Sequence, residues 1–363
     1  TAALVLAGSG YRVALLDKAV FPRDKICGDA IGGRAKRVLH SINPGLAKRL
    51  DLFPQQLVAK GWELYAPSGR SVQAFFKNSG YISARVDFDH FLLKELKSKE
   101  HIDIYENCKV TAVISAAQYV TVITEKGEFR SSILLACDGA NSVTARKILK
   151  RSVDPDNHSG AVRAYYKGIK SSDTPGMLEI HLIKGRLPGY FWIFPLTGGM
   201  FNVGFGMLSR DISSRKIDLK KSFASIISET PQLKSRFEKA TPVSEIHGLG
   251  LPLGGKEIPI SADRILFCGD AASLIDPLNG EGIGNAMLSG KIAAEWTLKA
   301  FEKNDFSHDF LSGYDAEVYR LLGKELRFKK RMQSLFNRIW LIELLVRLGR
   351  FSPMIRDKIA SKL

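Results

Sequence analysis

Leu266–Gly290 reads LFCGDAASLIDPLNGEGIGNAMLSG. Ile265 to Cys268 is a short unbroken apolar run, the pattern of a parallel strand buried on both faces. It ends in Gly269-Asp270-Ala271-Ala272, where small residues let the backbone approach a ligand and one carboxylate stands at the strand's carboxyl end. Open α/β sheets bind ligands at that edge. Pro277, Gly280, Gly282 and Gly284 follow in a loop with almost no side-chain bulk, and Asn285 to Leu298 has an Ala-rich helical pattern. A helix start offers free N–H groups and a positive dipole. These parts together suit a polyhydroxyl chain joined to an anionic or electron-rich group. An ordinary strand–turn–helix shares the pattern, but so many small residues cost backbone entropy unless something must come close.

Two segments further out repeat the theme. Ile133 to Arg146 (ILLACDGANSVTAR) is a buried strand ending in Asp138-Gly139, with Ser142 and Arg146 at helix-start spacing. Thr1 to Gly10 has helical composition and a glycine stop, and Tyr11 to Leu16 is a β-rich run ending at Asp17. That is the second half of a β-α-β dinucleotide unit, with Asp17 placed to accept a hydrogen bond from a ribose hydroxyl. Neither a strand nor a G-x-G-x-x-G precedes Thr1, so about 15 further residues, the size of a βα unit, are expected ahead of it.

The G-D-A-A…P-x-x-G-E-G-I pattern resembles the second flavin-contacting motif of FAD-dependent oxidoreductases with the para-hydroxybenzoate hydroxylase fold. Asp276-Pro277-Leu278-Asn279-Gly280-Glu281-Gly282-Ile283 is most similar to the geranylgeranyl reductase family. The Asp138-Gly139 segment is similar to a motif shared by flavin enzymes that also use a nicotinamide cofactor. Phe21 to Gly33 (FPRDKICGDAIGG) resembles the family's F-P-R-x-K-x-C-G segment, which runs along the flavin through Cys27 and Gly28. The resemblance makes Cys27 a candidate catalytic residue, tuning the flavin or lying beside the substrate double bond; a packed small thiol is the plain alternative. Arg85 matches an arginine that contacts FAD, against the bland reading of a surface cation, and Val110 falls where the family's backbone meets adenine. By the same resemblance Asp17 and Asp270 hold ribose and ribityl hydroxyls, while Gly280, Gly282 and Ile283 meet the flavin through backbone.

Trp62 to Phe76 alternates around Pro67-Ser68-Gly69, a hairpin pattern, and Asp87 is the expected N-cap of a helix running to about Lys99. Lys109 to Ile114 and Val120 to Thr124 read as a strand pair. Short β-type runs separated by Gly and Pro turns fill Val153 to Leu253, and Ile212 to Lys239 reads as helix. Within this region Tyr190-Phe191-Trp192-Ile193-Phe194-Pro195 looks like the Y-x-W-x-F-P motif of geranylgeranyl reductases, echoed by Asn202 to Gly206. Tyr190, Trp192 and Phe194 alternate, so their rings share one face of a strand. Against a helix they are core; against a ligand they form an apolar wall suited to a polyprenyl chain, and the resemblance favours the latter.

The chain of 363 residues has room for two or three domains, and 45% hydrophobic with 25% charged residues is a globular composition. No apolar run approaches the ~18–20 residues of a membrane span. Cys27, Cys108, Cys137 and Cys268 lack metal spacing, with Cys137 and Cys268 ending predicted buried strands; free thiols in a reducing, cytoplasmic compartment are expected. His90, His101, His181 and His247 are scattered, and no metal is assigned. Net charge is +16, which favours anionic partners. From Arg320 to Leu363, 12 Lys and Arg stand against 3 Asp and Glu, a net of +9. Basic and apolar clusters alternate there, as in a segment lying on an anionic membrane face or in a capping helix pair with a solvated basic face.

The expectation is an α/β protein (α+β overall). A Rossmann-like FAD-binding domain, lacking its first strand, is assembled from 1–55, 82–150 and 257–305. An inserted antiparallel β-sheet substrate domain comprises 56–81 and 151–256, and a C-terminal helical tail spans 306–363. The resemblance implies FAD-dependent saturation of isoprenoid C=C bonds, with NAD(P)H or ferredoxin as electron donor and a peripheral place on the membrane's inner face. An aromatic hydroxylase-like monooxygenase using FAD and NAD(P)H is the alternative. A halogenase is disfavoured because the W-x-W-x-I-P segment of that group is absent. A non-catalytic membrane-surface or nucleic-acid binder would need a dead flavin site, and nucleic acid is not an expected partner.

Overall fold

The structure, a computed structural model, describes residues 1–170, 172 and 174–352. The end of the predicted basic tail, 353–363, lies outside the described residues. Aliphatic runs form two parallel strand pairs. Val13–Leu16 pairs with Ile102–Tyr105 in register Val13↔Ile102, and Ile265–Phe267 pairs with Leu134–Ala136 in register Ile265↔Leu134. Ile265, Leu266 and Phe267 are fully buried, as a strand covered on both faces requires. Their cover comes from helices Ile283–Lys303 and His308–Leu335, through Ile292, Ala293, Leu311, Tyr314 and Val318. A three-stranded antiparallel meander, Val110–Ser115, Val120–Thr124 and Gly127–Ser131, stands beside them.

The second layer is a nine-stranded mixed sheet. Its hairpin, Leu57–Tyr65 and Ser71–Ile82, turns at Pro67-Ser68-Gly69, where Gly69 takes φ +85°. All its pairings are antiparallel except Leu57–Tyr65 with Met177–His181, which run parallel. Tyr190–Pro195 lies centrally, pairing Met177–His181 on one side and Met200–Leu208 on the other. Its alternation is strict. Phe191 and Ile193 point into a core with Val203, Phe205 and Phe223, all fully buried, each side chain contributing roughly 1.5–3 kcal/mol. Tyr190, Trp192 and Phe194 point the other way, and the three rings pack in sequence. Gly204 sits opposite Trp192; a Cβ there would lie 2.0 Å from the indole, so only glycine lets that ring lie flat on the sheet.

Two local expectations are corrected. Ile212–Lys239 is not one helix but falls within three, Ser209–Ser214, Leu219–Glu229 and Pro231–Phe237. Lys216 adopts φ +50°, Asp218 caps the second helix through Lys221 N–H, and Pro231 has no N–H and holds Thr230 extended. Asp87 is not an N-cap: helix Arg85–Lys97 starts from Ala84, and Asp87 lies in its first turn, where it still favours the dipole.

The expected Cys268 burial holds, while Cys137 is exposed. Helix Ile339–Phe351 closes the described chain. It presses Ile342 and Val346 onto Trp62, Leu64, Val72 and Leu182 of the large sheet.

Candidate functional site

A cavity of about 1050 Å³ lies between the glycine loop and the Tyr190–Trp192–Phe194 face of the large sheet. On one side, the strand Ile265–Phe267 delivers Asp270 through a short 3-10 turn, Gly269–Ala272. Asp270 is one-tenth exposed and accepts a 3.1 Å bond from Lys25 Nζ through Oδ2. The 21-residue helix Ile283–Lys303 begins at Gly282 with no side-chain cap, so its positive end is open where Gly282 and Ile283 line the cavity. Gly280 holds φ +75°, and a Cβ there would stand 2.9 Å from Tyr190 Oη. Tyr190 Oη instead donates to the Asn279 carbonyl at 2.6 Å, tying the aromatic wall to the loop.

On the other side Trp62, Leu64, Leu178, Ile180 and Leu182 extend the apolar wall begun by Tyr190, Trp192 and Phe194. Cys27 and Gly28 run along it; a Cβ at Gly28 would meet Phe194 at 3.4 Å and Trp192 at 3.8 Å. Arg85 lines the cavity too. Its guanidinium forms two 2.7 Å bonds to Asp89. Burial opposes its charge, but Asp89, with the Cys27 thiol contributing, holds the group protonated beyond its ordinary range.

Ten residues singled out in the sequence thus meet around one cavity: Cys27, Gly28, Arg85, Tyr190, Trp192, Phe194, Asp270, Gly280, Gly282 and Ile283. Four do not line it. Asp17 ends the strand Val13–Leu16, accepting from Ala19 N–H and pairing with Arg23. Val110 opens the meander and packs against the core beneath the parallel strands. Asp138 takes bonds from Ser142 Oγ and from Thr144 N–H and Oγ1, anchoring the start of helix Val143–Ile148. Gly139 beside it holds φ +76° with open space around it.

Other cavity residues escaped the sequence reading. Arg34 bonds Asn285 Oδ1 and pairs with Glu325 at 2.5 Å, while Lys329 joins Glu325 to the buried Asp276. Glu281 has a buried Oε1 without a hydrogen-bond partner; burial pushes its carboxyl up, against the pull of Arg34. At the exposed rim Arg37 and Lys77 line the cavity, and their side chains make no hydrogen bond or ion pair among the described residues. Asn202 and the half-buried Tyr165 bond the buried carboxylate of Asp29 behind the wall, and the buried Arg163 guanidinium stacks over the Tyr165 ring. Their partners come from distant strands, so spacing alone carried no signal; an acidic residue inside the glycine-flanked CGDAIGG loop was the one available hint. Among the described residues no group of three or more His, Cys, Asp or Glu is placed to hold a metal.

An open helix end, a loop without side chains and a carboxylate at a strand's end, facing an apolar aromatic wall, form a donor set that fits a ribityl-flavin beside a greasy substrate. The chain's path defines the same class. It superposes on a geranylgeranyl bacteriochlorophyll reductase-like protein from Thermoplasma acidophilum with TM-score 0.80 at 23% identity, covering 96% of this chain and 87% of that one. The flavin-dependent brominase Bmp2 follows at 0.76 and 21%, covering 96% and 89%. The fold is that of an FAD-dependent oxidoreductase.

No family model matches the chain, but its sequence is 32% identical over 304 residues to a menaquinone reductase of Mycobacterium tuberculosis, covering 81% of this chain and 72% of that protein. Digeranylgeranylglycerophospholipid reductases of Methanococcus vannielii (29% over 286 residues; 76% and 71% covered) and Thermoplasma volcanium (27% over 332; 88% and 80%) are similar as well. The chain belongs to the geranylgeranyl and menaquinone reductase family of FAD-dependent oxidoreductases.

Proposed function

We propose that the chain saturates isolated C=C bonds in a polyprenyl lipid, either a geranylgeranyl-type lipid or its diphosphate. The observation that carries this reading is the continuous apolar wall of Tyr190, Trp192 and Phe194 facing the open start of helix Ile283–Lys303 across one cavity. FAD, when bound and reduced, would supply the two electrons as a hydride to one carbon, and a proton from solvent or a nearby donor would complete the other. Gly280, Gly282, Ile283 and Asp270 would hold its ring and ribityl chain, with Arg85 and the Cys27-Gly28 segment beside them. Asp17, Val110, Asp138 and Gly139 would serve the rest of the cofactor. The aromatic wall orients the prenyl chain and excludes water from it. Cys27, next to Arg85, is the candidate for a role at the double bond. NAD(P)H or ferredoxin would be the electron source.

The relatives named as reductases of menaquinone and of a digeranylgeranyl phospholipid support a membrane-derived substrate. Among the described residues no helix is long and apolar enough to cross a membrane. We infer a peripheral contact through helix Ile339–Phe351, whose outer face carries Trp340, Leu344, Leu348 and Phe351 exposed beside Arg347 and Arg350.

The test is anaerobic. Flavin-loaded protein is reduced and mixed with geranylgeranyl diphosphate, or with a geranylgeranyl phospholipid, while flavin absorbance is followed. Reoxidation by prenyl substrate without oxygen is the expected result. Reoxidation by oxygen alone, with a hydroxylated product, would replace this reading with the monooxygenase.

A further inference from the structure

Asn202 lies at the centre of the sheet, fully buried, and its side chain makes three hydrogen bonds. Its Nδ2 donates to Asp29 Oδ2 at 2.7 Å and to the Cys27 carbonyl at 2.7 Å. Its Oδ1 accepts from Trp192 Nε1 at 2.9 Å. An indole N–H only donates and an ionised carboxylate only accepts. Asp29, the Cys27 carbonyl and Trp192 therefore fix which way the amide faces, and the amide in turn ties the Cys27 peptide to the indole along the same wall.

Asp29 is itself fully buried and held from three other directions. Tyr165 Oη donates to Oδ2 at 2.8 Å, Arg85 N–H reaches Oδ1 at 3.3 Å, and Ser83 N–H bonds its carbonyl. It also adopts φ +63°, a left-handed conformation that a non-glycine residue takes at a cost. Burial pushes its carboxyl up to about 6, against the pull of Asn202, Arg163, Tyr165 and Arg85. A carboxylate so placed touches neither cavity nor solvent, yet it joins the cysteine loop, the start of helix Arg85–Lys97 and two strands of the large sheet.

We propose that Asp29 is a positioning residue which, through the Asn202 amide, locks the Trp192 indole and the Cys27 peptide together along the aromatic wall of the prenyl cavity. The role in turnover rests on the prenyl reductase reading; the role in holding Trp192 does not. With Asp29 neutralised, the charge-assisted bond that holds the amide is lost, the hold on the Trp192 Nε1–H bond weakens, and the wall against the substrate loosens.

The experiment compares wild-type protein with Asp29→Asn, an isosteric change, loaded with FAD. The Trp192 indole N–H is identified in nitrogen-15 spectra by its loss in Trp192→Phe. Its exchange with solvent should accelerate by about tenfold or more in Asp29→Asn, the scale of one buried hydrogen bond. Reoxidation of reduced flavin by the prenyl lipid should slow by a similar factor at unchanged FAD affinity. In a Trp192→Phe background Asp29→Asn should add little.

Unchanged indole exchange would overturn the proposal, as would a full-sized effect of Asp29→Asn in the Trp192→Phe background. Should Asp29→Asn fail to fold, the exchange Asp29→Asn/Asn202→Asp keeps one charge in the network and returns an acceptor to Trp192. Indole protection must then reappear, and its absence is equally fatal. If no prenyl lipid reoxidises even wild-type flavin, the function is wrong, while the exchange measurement still decides the role of Asp29.

Discussion

Asp29 ties the chemistry of one residue to the stability of the whole chain. Its carboxyl is raised from 3.8 to about 6, chiefly by burial. A folded-state value above the unfolded one means the folded protein binds this proton more tightly. The resulting stabilisation is complete below about pH 4 and is lost as pH rises through about 6, a swing of roughly 3 kcal/mol. Arg163, Tyr165, Arg85 and Asn202 face the group, and Asp24 pairs with Arg163 behind them. Asp29→Asn removes this titration, so its stability relative to wild type should rise by about 1.4 kcal/mol between about pH 5 and about pH 7.5. Denaturant unfolding at the two pH values measures that difference, and a pH-independent difference would show that Asp29 does not titrate in this range. None of this was legible in the sequence. Asp29 meets Tyr165 across 136 residues and Asn202 across 173, and a one-dimensional pattern carries no trace of such pairs. Tyr190, Trp192 and Phe194 were legible because a strand's two-residue period lies in the sequence itself.

At the scale of elements, local physics decided which readings survived. The Leu266–Gly290 strand–loop–helix could be recognised because every part of it is local: an apolar run, a carboxylate, a loop of small residues and an Ala-rich helix. The helix expected over Ile212–Lys239 breaks where Pro231 and the capping Asp218 outweigh its apolar periodicity. Asp87 lost the cap because the chain enters that helix from Ala84, three residues earlier than an N-cap at Asp87 requires.

Helix Ile339–Phe351 carries the element-scale prediction. Its inner face, Ile342 and Val346, is buried on the large sheet. Its outer face leaves Trp340 62% and Phe351 81% exposed, with Leu344 and Leu348 between them. An apolar stripe of this kind beside Arg347 and Arg350 matches an anionic lipid surface. The full chain should sediment with phosphatidylglycerol vesicles and release as salt rises. Trp340→Glu/Phe351→Glu should lose at least about tenfold in affinity, since each ring contributes one to a few kcal/mol when buried. Equal binding to neutral vesicles, or binding indifferent to both substitutions, would discard this face as the contact.

Across the whole molecule, the net charge of +16 says little until it is resolved around the cavity. Six cations line it: Lys25, Arg34, Arg37, Lys77, Arg85 and Arg163. Four are matched, Lys25 by Asp270, Arg34 by Glu325, Arg85 by Asp89 and Arg163 by Asp24. Arg37 and Lys77 remain, both exposed, at the seam of helix Gly33–Ile42 and strand Ser71–Ile82. Their neighbours Phe75 and Asn78 are exposed lining residues too, so this seam is an open rim of the chamber. A substrate whose chain lies against Trp192 would present its other end here, and two unmatched cations favour a phosphate over a neutral ring. Arg37→Glu/Lys77→Glu should therefore raise KM for a phosphate-bearing prenyl lipid by about tenfold or more, as charge-assisted contacts of this kind warrant. KM for an uncharged prenyl quinone and the rate of flavin reduction by the electron donor should stay within about twofold. An equal rise for both substrates would mean that the rim shapes entry to the chamber without reading the headgroup. A change for neither would turn the substrate's charged end away from this seam.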